Sequence, residues 1–531
     1  MLNLLLFSCA RVGAPNGGTR DSLAPKFLGS NIDTTRLNVS RTVKELRLDF
    51  DEYVMLKDFN KNFNVSPPIK KIKKVIPSNL ANKYVLIQWE DTLQANTTYN
   101  FNFGNAIVDN NESNPLPYFN FAFSTGDKID DLFVSGTVKD AMTLIKENQT
   151  AKDNKMVVGL YKAGENLDYK QKPDYITKVD EENYFELNFL PKGEFVIIAF
   201  DDENQNSVYD AGKEKVSFLK EKITLDSTSV RGLKLKLYPS KKVVKYKESK
   251  AINGGLLMTF EGNPETVEVK SLSEELKDFK VTHAKRSDSV NIWFDAEKSN
   301  LGGNISKQVK LSYFTPTISD TISVSYKAVK EEFKLSNEAG NLIAPENNFV
   351  INTSLPIENL NTSSWKLESD SIAQDFTAKI SEKNPFKILV NSSFKPTKKY
   401  VLTIPKETVS SYYSSNDKSF QFQFEIDKPE NYGSFTAVIK NKPTAKFWVE
   451  LTNEKGEILY SQFTNASEVS FKNLKPATYI ARIRVDNNGN GFWDEADFAQ
   501  NIAAEDVYIF EKEINVRPLW EIKEDWELTN H

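Results

Sequence analysis

One acidic stretch near the C-terminus has the residue types and spacing of a twelve-residue calcium loop. Such a loop places oxygen ligands at positions 1, 3, 5, 9 and 12, a backbone carbonyl at position 7 and glycine at position 6. Counted from Asp486, the glycine position is Gly491, and the other positions carry carboxylate, amide or carbonyl oxygens. The predicted ligands of Ca²⁺ are Asp486, Asn488, Asn490, the carbonyl of Phe492, Asp494 and Asp497.

Two features separate this stretch from the usual loop. The twelfth residue is Asp497, which is shorter than the usual bidentate glutamate, and the residues before Asp486 alternate like a strand instead of a helix. A solvated Asn-Gly turn favours the same residue types, so that alternative stays open.

An earlier stretch carries a weaker version of the same pattern. Ser207 stands at its glycine position, and Lys213, which cannot be a metal ligand, stands at its twelfth position. Its predicted ligands are Asp202, Asn204, Asn206 and Asp210. The loop from Asp109 to Asn114 is expected to be polar without metal.

Cys9 is the only cysteine in the chain, and it ends the run Leu6-Phe7-Ser8-Cys9. This run resembles the lipobox of bacterial lipoproteins, in which the cysteine is lipidated after cleavage. The resemblance implies a lipid anchor at Cys9 and a signal remnant and tether over residues 1–21. No basic residue precedes Cys9, so we expect the natural start to lie upstream of Met1; the alternative is an ordinary buried thiol.

Composition argues against several classes of function. A net charge of −5 gives no basic stripe for nucleic acid. A single cysteine forms no disulfide within the chain, and two histidines, His283 and His531, leave little for zinc or a Ser-His pair. Carboxylate pairs such as Asp49 and Asp51, or Asp201 and Asp202, arise by chance when 27% of residues are charged. We therefore predict that the protein is not an enzyme.

Apolar residues alternate with period two along most of the chain, which predicts an all-β fold of tandem β-sandwiches. Residues 22–126 carry such runs and contain Leu48–Glu52, Asp91–Tyr99 and Asn105–Asp109. These stretches resemble the bacterial Ig-like domain first described in S-layer proteins. Residues 131–240, with strand runs around the turn Leu190–Gly193, resemble the transthyretin-like, carboxypeptidase-regulatory type of sandwich, a family of binding and spacer modules. Residues 250–330 are predicted to be a β-sandwich of uncertain type.

The second part of the chain repeats the first. Displaced by 301 positions, Ile87, Tyr99 and Phe121 fall on Ile388, Tyr400 and Phe422, which predicts a second Ig-like domain at 335–428. Displaced by 284 positions, the polar residues of the first acidic loop fall on those of the second, which predicts a second transthyretin-like domain at 430–531. We refer to 22–126, 131–240, 250–330, 335–428 and 430–531 as the first to fifth segments.

Other stretches resemble exported proteins of the phylum Bacteroidota. The tripeptide Asp-(Ser/Thr)-(apolar or Thr) recurs from Asp21-Ser22-Leu23 to Asp370-Ser371-Ile372 and is similar to an O-glycosylation motif of that phylum. With the head Cys9–Gly18, the chain resembles a family of Bacteroidota lipoproteins that implies no activity. Arg11 stands where surface-exported members often carry acidic residues, so the face of the outer membrane is left open.

Together these features predict an outer-membrane lipoprotein without enzymatic activity, acting as a binding or scaffold subunit of an envelope protein complex. The expected partners are the membrane, through the lipid, and another envelope protein. The alternative is a carbohydrate-binding or adhesive surface protein, for which the sequence offers seven tryptophans, Trp493 in the acidic loop among them.

Overall fold

The computed structural model of the chain describes residues 21–144, 155–164, 167–329, 331–338 and 340–528. Cys9, with the predicted lipid attachment, and His531 lie outside the described residues. Within them the regular structure is β-strand, apart from a short helix, α1 (Phe59–Asn62), and two 3-10 turns, Pro429–Asn431 and Phe498–Gln500. None of these helical pieces is long and apolar enough to cross a bilayer. The predicted all-β fold of tandem β-sandwiches is confirmed.

The first segment packs two sheets around an aromatic core. Its strands are β1 (Phe27–Ser30), β2 (Glu45–Leu56), β3 (Asn64–Ser66), β4 (Ile72–Ile76), β5 (Asn82–Trp89), β6 (Thr98–Gly104), β7 (Ile107–Asp109) and β8 (Phe119–Ser124). One sheet has the order β1-β2-β5-β4, with β7 beside β2, and the other has the order β3-β6-β8. Alternation buries one face of each sheet, so that Trp89 and Phe101 meet in the core with ring centroids 5.5 Å apart.

The second segment is also built from two sheets. Its strands are β9 (Leu132–Asp140), β10 (Met156–Lys162), β11 (Tyr175–Lys178), β12 (Tyr184–Leu190), β13 (Gly193–Asp201), β14 (Val216–Phe218), β15 (Ile223–Leu225) and β16 (Val230–Leu237). The sheet orders are β11-β10-β13-β14, with β15 beside β13, and β12-β9-β16. Buried apolar residues of both sheets, such as Val134, Leu160 and Ile197, form one core cluster.

The third segment, predicted as a sandwich of uncertain type, has a four-stranded and a three-stranded sheet. Its strands are β17 (Lys245–Ile252), β18 (Gly255–Glu261), β19 (Glu268–Ser271), β20 (Lys280–His283), β21 (Ser289–Trp293), β22 (Lys307–Phe314) and β23 (Ser319–Tyr326). The orders are β17-β18-β21-β20 and β19-β22-β23. Met258 of the first sheet and Val309 of the second belong to the same buried cluster.

The fourth segment reproduces the strand pairing of the first. Its strands are β24 (Leu335–Asn337), β25 (Leu342–Ile343), β26 (Phe349–Thr353), β27 (Asn359–Leu360), β28 (Lys366–Ser369), β29 (Ile372–Ala373), β30 (Phe376–Ser381), β31 (Asn384–Ser392), β32 (Lys399–Ile404), β33 (Val409–Ser410) and β34 (Phe420–Ile426). The orders are β24-β26-β31-β30, β25-β34-β32-β28-β29 and the short pair β27-β33. Thus β31 lies between β26 and β30 as β5 lies between β2 and β4.

The fifth segment reproduces the strand pairing of the second. Its strands are β35 (Gly433–Lys440), β36 (Phe447–Thr452), β37 (Ile458–Thr464), β38 (Glu468–Leu474), β39 (Ala477–Val485), β40 (Val507–Ile509), β41 (Ile514–Val516) and β42 (Glu521–Glu527). The orders are β37-β36-β39-β40, with β41 beside β39, and β38-β35-β42. β42 pairs with β35 in parallel, from Ser434 opposite Glu521 to Lys440 opposite Glu527. The predicted duplication is therefore present in the strand order.

The chain divides into two compact units. One contains the described residues of Met1–Lys139, Thr150–Asp210 and Val216–Leu237, and the other those of Asp140–Gln149, Ala211–Lys215 and Tyr238–His531. The five predicted domain boundaries are finer than this division and stay a prediction.

The core of the first segment gives a direct test of the packing. Phe101 is fully buried and lies against Trp89 and Phe123. We expect Phe101→Ala to lower the free energy of unfolding by about 3–5 kcal/mol, because it removes apolar burial and leaves a cavity. Chemical denaturation of the full chain, followed by tryptophan fluorescence, measures the change. Tyr118→Ala, at an exposed position of the same segment, is the control and should leave the transition unchanged.

Candidate functional site at the acidic loop

The acidic loop leaves the fifth segment where β39 ends. In β39, Ala481, Ile483 and Val485 alternate into the core, and Asp486 is the first residue beyond the strand. β40 returns beside the same strand, with Val507 opposite Arg484. The predicted strand before the loop is therefore present, and the loop spans the end of one sheet.

Side chains of the loop bind its own backbone. The two carboxylate oxygens of Asp486 accept the N–H groups of Asn490 and Gly491, each at 3.0 Å. The side-chain oxygen of Asn490 accepts the N–H of Phe492 at 2.8 Å. Gly489 and Gly491 have φ values of 71° and 81°, a left-handed conformation that glycine adopts without strain. The sharp turn predicted at Gly491 is present.

The first acidic loop has the same hydrogen bonds although it lacks the glycines. The carboxylate of Asp202 accepts the N–H groups of Asn206 and Ser207, each at 3.0 Å. Gln205 and Ser207, at the positions of Gly489 and Gly491, have φ values of 58° and 61°. The carboxylate and amide positions thus form the turn even where non-glycine residues must adopt a left-handed backbone. Their repetition in the sequence has a structural explanation that requires no metal.

Glu505 is a loop residue that our sequence analysis did not single out. Its carboxylate oxygens accept the N–H of Asn488 at 3.1 Å and the N–H of Asp494 at 2.9 Å, which closes the loop from the opposite side. Burial raises the pKa of Glu505, although these N–H groups act in the opposite direction. Glu214, also buried, lies at the same distance before β14 as Glu505 lies before β40, but the displacement of 284 positions does not align the two, so the repeat did not reveal them.

The predicted acidic ligands are not gathered around one point. Among the residues that the structure describes, no three Asp, Glu, His or Cys side chains are placed to hold a metal ion together. Asp497 instead accepts the N–H of Gln500 at 3.2 Å and caps the 3-10 turn that follows. The turn geometry of a calcium loop is therefore present, while the grouping of carboxylates is not.

A guanidinium from the third segment contacts the loop. Arg286 donates from Nη1 to Asp494 Oδ1 at 2.7 Å and from Nε to Glu265 at 2.6 Å. Its guanidinium lies 4.7 Å from the centre of the Phe492 ring, and Lys285 lies over the same ring. Burial alone would raise the pKa of Asp494, but hydrogen bonds from Asn488, Asn490 and Arg286 outweigh it and hold this pKa below its usual range.

A second part of the same compact unit also binds the loop. Ala496 donates its N–H to the carbonyl of Pro239 at 3.1 Å and accepts the N–H of Lys241 at 2.8 Å. The rings of Tyr238 and Trp493 lie 6.4 Å apart. The loop therefore connects the fifth segment to both the third segment and residues 238–241.

Next to the loop, a row of charged and aromatic side chains crosses the sheet; its members are Glu450, Arg482, Arg484, Trp448 and Trp493. Glu450 is fully buried and accepts from Arg482 at 2.7 Å and from Arg484 at 3.0 Å. The Arg484 guanidinium lies 5.9 Å from the Trp448 ring and 5.8 Å from the Trp493 ring. Trp448 also stacks on Phe463, and Trp493 lies near Tyr238, so both tryptophan rings have packing partners within the protein.

The other carboxylates singled out in the sequence also have structural partners. Asp49 forms an ion pair with Arg47 at 2.8 Å, and Asp51 accepts the N–H of Lys26 at 2.8 Å. The carboxylate of Asp202 accepts the backbone N–H groups of its own loop. Asp109 accepts the N–H groups of four loop residues, Asn111, Glu112, Ser113 and Asn114. None of these contacts has the geometry of an acid and a base facing a substrate.

Comparison with known proteins identifies one part of the chain. Residues 21–125 match the family described as the bacterial Ig-like domain. No curated protein matches the chain. The predicted bacterial Ig-like domain of the first segment is thereby confirmed, while the transthyretin-like assignments, the second Ig-like assignment and the lipoprotein resemblance stay predictions.

Several solved structures of β-sandwich proteins are similar over most of the chain. Domains 1–6 of the surface layer protein SbsC are 12% identical, with a TM-score of 0.16, 93% of this chain and 67% of that chain covered. BcpA, the major pilin subunit of Bacillus cereus, is 12% identical, with a TM-score of 0.13. The match covers 75% of this chain and 99% of BcpA. SGBP-B of a Bacteroides ovatus mixed-linkage glucan utilization locus, solved with a heptasaccharide, is 9% identical, with a TM-score of 0.20 and coverages of 74% and 97%.

The contact of Arg286 with the loop predicts a pH-dependent contribution to stability. We expect Arg286→Ala to lower the free energy of unfolding by about 1–3 kcal/mol at pH 7, the usual range for hydrogen bonds to charged groups. The pKa values of Asp494 and Glu265 are lowered in the folded protein, so this contribution is present above their unfolded values near 4 and is lost as the pH falls through the folded values.

Urea denaturation of the full chain at pH 7 and at about pH 3 checks this expectation, and the difference between wild type and Arg286→Ala should shrink at the lower pH. Lys285→Ala is the matched control, because Lys285 lies over the same Phe492 ring and pairs with Glu265 at 3.4 Å but does not bind Asp494. Its loss isolates the part of the effect that does not pass through Asp494. Equal losses in the two variants, or a difference that does not change with pH, would contradict the assignment.

Calcium binding at the acidic loop stays a prediction and is tested separately. A cation that binds only the folded form raises stability by RT ln(1 + [L]/Kd), about 2.7 kcal/mol at a hundredfold excess over Kd. We expect the full chain to melt higher in millimolar Ca²⁺ than in EDTA, with a smaller effect of Mg²⁺. Asp486→Ala combined with Asp494→Ala should remove the difference, whereas Asp202→Ala with Asp210→Ala should change it less. Identical melting of the wild type with calcium and with chelator would leave the loop as a polar turn.

Proposed function

We propose that this protein is a lipid-anchored outer-membrane lipoprotein that acts, without enzymatic activity, as a binding or scaffold subunit of an envelope protein complex. The observation that carries the proposal is the way the candidate site is used. Carboxylates there bind backbone N–H groups or guanidinium groups: Asp486, Asp494 and Glu505 hold the loop and its contacts together. Carboxylates with such partners position segments of chain, as expected of a binding or scaffold protein.

The architecture supports a role in spacing and binding. Four of the five buried clusters each lie within one β-sandwich, and the cluster of the fourth segment also includes Trp293 of the third. Adjoining segments of a compact unit also share side-chain contacts such as Arg286 with Asp494. Contacts of this kind hold adjoining sandwiches of one unit together, which suits a role in spacing and binding. The bacterial Ig-like domain at residues 21–125 fits this kind of role.

Membrane attachment is the part of the proposal that rests on Cys9. Acyl chains contribute about 0.8 kcal/mol for each buried CH₂, and two or more chains are needed for stable anchoring. A lipidated cysteine with several chains would therefore hold the sandwiches at a membrane without any spanning helix. The protein partner would then be another component of the same envelope.

Attachment and partner are tested in one experiment. The protein expressed in its native host should enter the membrane fraction, incorporate labelled fatty acid and co-purify with an envelope protein after mild cross-linking. Cys9→Ser should be unlabelled and soluble, because it cannot carry the thioether-linked lipid. Ser8→Ala is the matched control, since it changes the neighbouring position and keeps the cysteine.

Membrane retention of Cys9→Ser equal to that of the wild type would contradict the anchor. Purification of the labelled protein without any stoichiometric partner would contradict the scaffold role. Carbohydrate binding is the second candidate, favoured by the half-exposed Trp520, whose ring lies 4.8 Å from the Arg517 guanidinium. Binding to a glycan array that Trp520→Ala abolishes would select this second function.

A further inference from the structure

β37 is the outermost strand of its sheet, and three of its apolar side chains are exposed to solvent. It pairs with β36 on one side, from Phe447 opposite Thr464 to Thr452 opposite Ile458. Its other side presents backbone N–H and C=O groups to which a further strand can bond. Ile458, Leu459 and Phe463 are 46%, 49% and 44% exposed.

The corresponding edge in the second segment is covered by the chain itself. β11 pairs with β10 as β37 pairs with β36, and Tyr175, Ile176 and Thr177 of β11 are buried. The N–H of Ile176 donates to Ser66 Oγ of β3 at 3.2 Å. The edge strand β11 of the second segment is thus covered by the protein itself, whereas the equivalent strand β37 of the fifth segment is exposed.

β37 carries neither charge nor proline, two of the features that keep edge strands apart. Proteins protect exposed edges with charged residues, proline, short strands or β-bulges, and β37 has one register shift against β36, at Leu459 between Tyr460 and Ile458. Among the described edge strands of seven residues or more, β37 is the one without Asp, Glu, Lys or Arg, whereas each of the others carries at least one: β12, β16, β17, β23, β38 and β42. Its sequence, ILYSQFT, contains no proline. The absence of charge removes the repulsion that would oppose pairing of two identical strands.

We propose that β37 pairs antiparallel with β37 of a second copy of this chain, about a two-fold axis at Ser461. In this register Tyr460 lies opposite Gln462 of the copy, and Leu459, the residue at the register shift, lies opposite Phe463. Leu459 and Phe463, two of the three exposed apolar residues of each strand, therefore cover those of the other. This inference rests on strand order, exposure and charge, and not on the proposed function.

The outer face of the sheet is prepared for this contact. Trp448 and Phe463 are register partners on adjacent strands, and their rings stack at 4.4 Å with an interplanar angle of 25°. Phe463 is therefore held in place before a partner arrives, which reduces the entropy lost on association. β37 has no charged side chain that could form an ion pair with a charged partner strand. β37 of a second copy is equally uncharged and apolar, so it matches β37 across a two-fold axis.

Sedimentation equilibrium of the full chain, with Cys9→Ser to remove the thiol, measures the association. We expect a reversible dimer, and Ser461→Lys should raise its Kd about tenfold or more by placing two ammonium groups together at the axis. Ser461 is exposed, so the fold should tolerate lysine, and thermal melting by circular dichroism verifies this. Ser319→Lys, at an exposed position of edge strand β23, is the matched control and should leave Kd unchanged.

A cysteine at the axis tests the register and does not depend on the lysine variant. Opposed residues of antiparallel strands have Cβ atoms about 4.5–5.5 Å apart, near the reach of a disulfide. In the Cys9→Ser background, Ser461→Cys should form a covalent dimer under mild oxidation, whereas Thr464→Cys, three residues from the axis, should not. A chain that stays monomeric at all concentrations, a dimer with unchanged Kd in Ser461→Lys, or cross-linking of Thr464→Cys alone would overturn the proposal. A monomer that binds a strand of another protein on β37 would also overturn it.

Discussion

The carboxylate of Asp486 satisfies two backbone N–H groups at the point where β39 leaves the sheet, and the contacts of the acidic loop depend on it. A chain that turns sharply at a sheet end leaves donors without strand partners, and these donors cost free energy unless they find an acceptor. Once the turn is formed, Phe492 and Asp494 are in place for Arg286, and Ala496 is in place for residues 238–241. The local turn thus determines the longer-range contacts.

A second constraint lies beneath the loop, in the pairing of Glu450 with Arg482 and Arg484. Two guanidinium groups share one buried carboxylate, so that each carboxylate oxygen has a charged donor. Removing one partner of such a buried pair typically costs about 3–5 kcal/mol, because the remaining charge is left without compensation. The pairing also holds Arg484 between two tryptophans, which links the burial of charge to the aromatic row across the sheet.

Much of the fold could be predicted from local pattern. Alternation such as that of Leu46 and Leu48 identified strands, and the displacement of Ile87 onto Ile388 identified the duplication that β5 and β31 show in their sheets. The acidic positions could be predicted, but their hydrogen bonds to the backbone could not, because carboxylates and amides at these spacings serve a metal and a turn equally well. Arg286 could not be connected with Asp494, since the two are separated by 208 positions and no local pattern relates them. The open edge of β37 was equally hidden, because an alternating strand has the same sequence signature whether or not a neighbour covers it.

The parallel pairing of β35 with β42 has a mechanical consequence. These are the first and last strands of the fifth segment, and they run side by side in the same direction from Ser434 and Glu521 to Lys440 and Glu527. A pull on the start of β35 and the end of β42 is directed along the strands and towards opposite ends of the pair. It loads all the hydrogen bonds of the pair together instead of opening them one after another. Forced unfolding is governed by the unfolding rate, which such shear loading keeps low, so this sandwich would resist tension that passes along the chain.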